Sequence, residues 1–501
     1  MTSPSATATA GRRSSVWSLP WVPAAVLVMI GLRLIQLRLG GTPDEGGFLV
    51  LAGQWSSSGD SLYGNYWVDR PPLLMMLFQV ADLFGGIPAL RVIGIAISVA
   101  TVLLLASTAR RVLDDRAASV TAVVAAALLG GPLAGAASVN GELMALPFLA
   151  LGLRTATEAV LSDEERTARL AALATGAAAV SALLVKQNMV DVVVFAAVFW
   201  IFAWRQRRVT WGQLVQRVGL AALGAGIAFG LVSLWAVAHG TSPADVYEAT
   251  YPFRVKAARV IADNPSVAEA SGQRLALLTL SVIGSGLPLA VGIFLIRGTW
   301  RTKDLAFAWA IVALLAWATF SIVAGGSYWL HYLVEAIPAV ALAAGAVLFR
   351  SPVAIRRTVQ LMAVAAVVSA VIAAFIPPGS PATQVGDALG RVKRPGDTVL
   401  VTFGDPEVLR ASGMSSPYEY PWSLPARTLD PDMKDLRAVL AGPDAPTWVV
   451  VRGPQTQARL KLGGAWSLIS ERYRRVGTLC ERFVYLRNNV DRAVPDAGDS
   501  C

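Results

Sequence analysis

Between residues 20 and 376 the chain passes through one apolar run after another, each near the length that crosses a bilayer core, with short arginine-rich breaks between them. A run of about 20 apolar residues has little to pack against in a small soluble domain, and in lipid its backbone is satisfied only as a helix. The runs fall at 20–39, 88–109, 117–135, 140–153, 170–186, 188–204, 213–238, 274–297, 304–324, 328–349 and 356–376, which predicts eleven transmembrane helices. Hydrophobic residues make up 55% of the chain and charged ones 15%, a balance that excludes an ordinary soluble globule. Segment 73–87 is too short to span comfortably and is broken by Gln79, Asp82 and a glycine pair, so it reads as an interfacial or re-entrant helix.

The formal net charge of +10 would suggest a nucleic-acid partner in a soluble protein. Here the arginines cluster in the breaks 109–116, 162–169, 205–208, 297–303 and 350–357. An eleven-span path puts all five on the side of the N-terminus, and the positive-inside rule makes that side cytoplasmic. Promoting 73–87 to a span would move all five outside. The charge is therefore read as topological, and no nucleic acid is expected. The expected layout is a multi-pass plasma-membrane protein: a cytoplasmic tail 1–19, a transmembrane domain 20–376 with external loops 40–87 and 239–273, and an external domain 377–501. The last reads as a small α/β unit, with strands in "DTVLVTFGD", "TWVVVRG" and "CERFVYLR" and a helix in "MKDLRAVLAG". Its two cysteines, Cys480 and Cys501, offer neither a CxxC metal site nor a disulfide framework, so no redox chemistry is expected.

On this path, polar residues from separate spans converge on the outer face. Asp44 and Glu45 follow the first span in "GGTPDEGGFLVLAG", and Asp69 and Arg70 open "DRPPL" on the same loop. Asn140 and Glu142 lie in "NGE", Lys186 and Gln187 in "KQN", Arg254 and Lys256 in "YPFRVKAAR", and His331, Tyr332 and Glu335 in "YWLHYLVEAIP". Ionisable groups at membrane depth are costly and usually functional.

The order of these motifs resembles the bacterial GT-C glycosyltransferases related to protein O-mannosyltransferases and lipid A aminoarabinose transferases. The resemblance implies a GT-C helical fold, a sugar donor linked to polyprenyl phosphate, and a catalytic base in the first external loop, where the acidic pair Asp44-Glu45 stands. Two departures are visible: "DRPPL" has Arg70 where many relatives have Lys, and the triplet Asn140-Gly141-Glu142 differs in its middle residue from the commoner Asn-Thr-Glu.

The chemistry accounts for the residue types. A carboxylate takes the proton of an acceptor hydroxyl, and cations balance the charge that grows on the leaving phosphate. Asp44 and Glu45 are the catalytic candidates. Substrate contacts are expected from Asp69, Arg70, Asn140, Glu142, Lys186, Gln187, Arg254, Lys256, His331, Tyr332 and Glu335, with Arg259 a further cationic candidate. Each has a structural rival: the acidic pair as a helix cap, Asp69 as the partner of Arg70, Asn140 and Glu142 as caps, Lys186 as a snorkelling side chain, His331 and Tyr332 as interfacial anchors, and the basic stretch around Arg254 as a solvated face. Partners are the lipid-linked donor, membrane lipid, and an external glycan, glycolipid or protein acceptor. No cofactor or tightly bound metal is expected, although Asp44, Glu45 and Glu142 together leave one divalent cation open. Hexosyl and pentosyl transfer fit equally, mannose and arabinose among them. A lipid-linked sugar flippase and a non-catalytic assembly protein with the same fold are the readings from other classes.

Overall fold

The computed structural model describes residues 19–56, 58–263, 265–298, 304–348, 350–376, 379–402, 404–453 and 462–497. The expected tail 1–19 lies almost wholly outside the described residues. The membrane part comprises α1 (Trp21–Gln36), α2 (Pro43–Gln54), α3 (Pro72–Leu83), α4 (Ile87–Val112), α5 (Asp115–Gly130), α6 (Gly141–Leu161), α7 (Glu165–Val185) and α8 (Asp191–Arg205). It continues with α9 (Trp211–Ala238), α10 (Pro243–Thr250), α11 (Pro252–Asp263), α12 (Pro265–Gly284), α13 (Leu287–Arg297), α14 (Leu305–Ala324), a 3-10 turn at Leu330–Ala336 leading into α15 (Ile337–Val347), and α16 (Pro352–Ala374).

All eleven apolar runs are helical. Seven described helices are long and apolar enough to cross a membrane, or eight if α12 and α13 form one bent span; the chain is a multi-pass membrane protein. α1, α5 and α8, at 16, 16 and 15 residues, coincide with three more of the expected spans. Two expectations about individual runs are corrected. The run 274–297 is not straight: α12 and α13 meet at 65°, because the chain turns at Gly286 with φ +74°, a backbone region open to glycine. The run 140–153 continues as α6 to Leu161, because Arg154 and Arg111 both pair with Glu158 (2.6 and 3.1 Å) and make its polar end a packed one. The helix of segment 73–87 is α3, 12 residues from Pro72 to Leu83, about 18 Å of helix against a core of about 30 Å.

The C-terminal unit follows as α17 (Pro381–Val392), β1 (Val399–Thr402), α18 (Glu407–Ser412), α19 (Ser423–Leu429), α20 (Lys434–Ala441), β2 (Trp448–Arg452), α21 (Gly464–Arg472), β3 (Tyr473–Leu479) and β4 (Arg482–Arg487). Its four-stranded sheet runs β1-β2-β4-β3, with β1 and β2 parallel (Val399 opposite Trp448) and β4 antiparallel to both neighbours (Val449 opposite Tyr485). β3 was not expected; it is an edge strand whose "YRRVGTL" exposes Arg474 and Arg475 and so lacks the apolar run of an inner strand. Cys480 is disulfide-bonded, which corrects the expectation that no disulfide is available. Cys501 lies outside the described residues.

This unit rests on α2. A Cβ added at Gly46 would lie 2.6 Å from the Glu407 Cβ, and one at Gly47 2.3 Å from the Trp422 ring, so the Gly-Gly of "DEGGF" allows α18 and Trp422 to approach. Phe48 then meets the Trp422 ring at 5.3 Å, and Arg410 pairs with Asp82 of α3 at 2.5 Å.

Candidate active site

The cap of α2 fixes the first acidic residues. Thr42 is its N-cap: its hydroxyl accepts from the Glu45 amide (3.3 Å) while the Glu45 carboxylate accepts from the Thr42 amide (3.0 Å), a reciprocal capping box with Pro43 at the first helical position. Asp44 is therefore not the cap. Glu45 is fully buried. Arg91, in the first turns of α4, donates to both of its oxygens (3.2 and 3.0 Å), and the Val139 amide donates to Oε1 at 3.0 Å. The same guanidinium reaches the carbonyls of Gln36, Leu37, Leu39 and Gly40 (3.1, 3.2, 2.6 and 2.8 Å), which close the end of α1. Glu45 thus ties together the end of α1, the start of α4 and the approach to α6.

Asp44 follows a different course from its neighbour. It is half-buried, and its carboxylate makes no hydrogen bond or ion pair with a described residue. Its charge acts on Arg70 and His331. Burial works against the charge on Arg70, and the carboxylates of Asp69, Asp44 and Glu142 outweigh it, holding the guanidinium above its ordinary pKa.

Around Asp44 the sequence candidates assemble from five segments. Asp69 pairs with Arg70 (2.9 Å) and with Arg254 of α11 (2.6 Å); its carbonyl accepts from Gln187 at 3.5 Å. Asn140 caps α6 by accepting from the Leu143 amide (3.1 Å), which sets Glu142 in the first turn. Glu142 is buried, ion-paired with Lys186, and 3.6 Å from Nε2 of His331. The Lys186 ammonium sits 4.7 Å from the centre of the Tyr332 ring. Gly135, at φ +72°, lets the chain before α6 reach the His331 backbone, 2.5 Å from where a Cβ would stand. Glu335 accepts from Asn188 (2.7 Å) and Ser321 (2.8 Å) behind this layer. Asn140 Nδ2, Gln187 Oε1 and Glu335 Oε1 are buried without a hydrogen-bond partner among the described residues, polar atoms of the kind that water or a ligand satisfies.

Three residues stand apart. Lys256 pairs with Glu248 on an exposed surface (3.1 Å), and Arg259 is exposed. His239 stacks on Trp235, with its Nδ1 2.9 Å from the Trp235 carbonyl. No three histidine, cysteine or carboxylate groups come together as metal ligands among the described residues, the trio of Asp44, Glu45 and Glu142 included. Sequence reasoning passed over Arg91, Thr42 and Asn188. The T-x-x-E spelling of Thr42 to Glu45 and an arginine inside the apolar run 88–109 were their legible signals.

The bundle of membrane helices with a small α/β domain resting on it has a GT-C type fold. The structure is similar to ArnT from Cupriavidus metallidurans bound to undecaprenyl phosphate, with a TM-score of 0.63 and 17% identity over 94% of this chain and 97% of that one. The same protein in the apo state gives 0.59 and 16% over the same shares. The Archaeoglobus fulgidus oligosaccharyltransferase tethered to an acceptor peptide containing the NVT sequon gives 0.55 and 13%, over 94% of this chain and 74% of that one. No protein-family model matches the chain, and no curated protein matches it in sequence.

Proposed function

We propose that the protein is an inverting glycosyltransferase that moves a sugar from a polyprenyl-phosphate donor to an acceptor hydroxyl outside the plasma membrane, with Asp44 as general base. The observation that carries the reading is the contrast within the acidic pair: Glu45 is committed to Arg91 and Val139, whereas Asp44 has no bonded partner among the described residues and acts electrostatically on Arg70. The binding of undecaprenyl phosphate by ArnT, which shares the fold, supports a lipid-phosphate donor.

In the reaction, the acceptor oxygen forms a bond to the anomeric carbon as the bond from that carbon to the phosphate oxygen breaks. The electron pair leaves with polyprenyl phosphate, and the acceptor proton passes to Asp44. Arg70, Lys186 and Arg254 surround the place where phosphate charge grows, and their present partners Asp69 and Glu142 hold them there. His331 and Tyr332 line the same recess. The acceptor is a protein, glycolipid or polysaccharide of the cell envelope, and the sugar a hexose or pentose. In this reading the cationic side chains Arg70, Lys186 and Arg254 carry the phosphate charge.

Asp44→Asn tests this. It keeps the shape and cannot take the proton, so sugar transfer from a polyprenyl-phosphate donor pool, normalised to folded protein, should fall by about 10²–10⁴. Near-normal transfer by that variant would remove Asp44 from the chemistry.

A further inference from the structure

At the end of the bundle opposite the acidic cluster, a cavity of about 1360 Å³ opens between two helical hairpins and the first residue of α1. Arg110 and Arg116 reach it from the turn between α4 and α5, and Arg350 and Arg356 from the turn between α15 and α16. It lies about 28 Å along α4 from Arg91, and none of its lining residues belongs to the site described above.

Its two acidic neighbours are engaged: Asp114 caps α5 by accepting from the Ala117 amide (2.8 Å), and Asp115 pairs with Arg110 (2.7 Å). Arg116 and Arg356 make no ion pair with a described residue. The inner wall is apolar, formed by Val120 and Val123 of α5 facing Val359 and Ala363 of α16. The floor is closed where α15 crosses α5, since a Cβ at Gly345 would lie 2.3 Å from the Thr121 hydroxyl. Trp21, 66% exposed, stands at the mouth, as tryptophans do at the level of lipid headgroups.

We infer that this cavity binds an anionic glycerophospholipid, its phosphodiester held between Arg116 and Arg356, one from each hairpin, and its acyl chains along the valine-lined wall. Guanidinium groups grip phosphate oxygens in pairs, and a basic pocket between membrane helices suits an anionic headgroup. The inference is independent of the glycosyltransferase reading, and only the leaflet, cytoplasmic by the distribution of arginines, depends on the topology.

The test is lipid binding to the delipidated full-length protein in non-ionic detergent, read by native mass spectrometry. Phosphatidylglycerol, diphosphatidylglycerol, phosphatidylcholine and inorganic phosphate are each titrated. The double variant Arg116→Gln/Arg356→Gln should weaken both anionic lipids by about tenfold or more, with an unchanged melting temperature because both side chains are exposed. Arg356→Gln alone should weaken binding measurably, whereas Arg357→Gln, which removes the same single charge from the neighbouring, exposed position outside the cavity, should leave binding within about twofold. Equal weakening by Arg357→Gln would reduce the effect to general surface charge and overturn the site. Equal binding of phosphatidylcholine, or displacement of the lipid by millimolar phosphate, would overturn the anionic-lipid assignment.

Discussion

Arg91 and Glu45, 46 residues apart, form a buried two-point contact in which the guanidinium donates to both carboxylate oxygens while also closing the carbonyl end of α1. The contact converts an acidic pair into two unlike residues. Glu45 is immobilised as part of the scaffold, and Asp44 is left to the cleft.

Removing one side of that contact strands the other as an unpaired charge. Arg91→Met should cost about 3–5 kcal/mol and lower the melting temperature of the detergent-solubilised protein. Adding Glu45→Gln to Arg91→Met should recover part of the loss, because the buried charge is then gone. Glu45→Gln alone should reduce sugar transfer less than Asp44→Asn does. If Glu45→Gln proves the more damaging of the two in turnover per folded molecule, the base moves by one residue.

Asp69 joins the first external loop to α11 through Arg70 and Arg254. Asp69→Asn weakens both charge-assisted contacts, each worth about 1.5–3 kcal/mol when intact, and releases the two guanidiniums from their set positions. The donor KM should rise by about tenfold or more, with kcat changed far less. A drop confined to kcat would instead place Asp69 in the chemical step.

Glu407 packs on Gly46 at the seam between the C-terminal unit and α2, with Oε2 lacking a partner among the described residues. Burial pushes its carboxyl up to about 7, opposed by its own backbone amide and by Arg482 and Arg452, and helped by Asp405. The folded protein thus holds this proton more tightly than the unfolded chain, whose value is near 4.5. The stabilisation is full below about 4.5 and is lost as pH rises through about 7, a swing of about 3 kcal/mol at most. Melting measured from pH 4.5 to 8 should show that decline, and Glu407→Gln should flatten it and melt higher than wild type at pH 8. A variant that tracks the wild-type slope would assign the pH dependence elsewhere.

Reporter fusions after residues 160 and 206 should read cytoplasmic, and a fusion after 480 external. An external signal at 206 would reverse the proposed orientation.

The helices of the membrane part were written in the sequence, because apolar length and arginine-rich breaks are local properties and lipid leaves a spanning segment no conformation but a helix. The same holds for β1, β2 and β4, whose apolar runs are strands on their own evidence. The edge strand β3 was not legible, since Arg474 and Arg475 carry no burial signal and the strand exists only because β4 pairs with it. The bend at Gly286 likewise needed the surrounding helices to define it.

Within the site, the sequence named the carboxylates and cations that converge. It could not rank them. Asp44 and Glu45 are adjacent and chemically alike, and what separates them is Arg91 and Val139, 46 and 94 residues away from Glu45. Arg254 and Lys256 are only two residues apart, yet Arg254 joins Asp69 and Lys256 an exposed glutamate, because positions i and i+2 of a helix point to different sides. Residue type and spacing determine which groups are present, through hydropathy and helix periodicity. Which of them is held, and which is left to act, is decided by long-range contacts that no local pattern encodes.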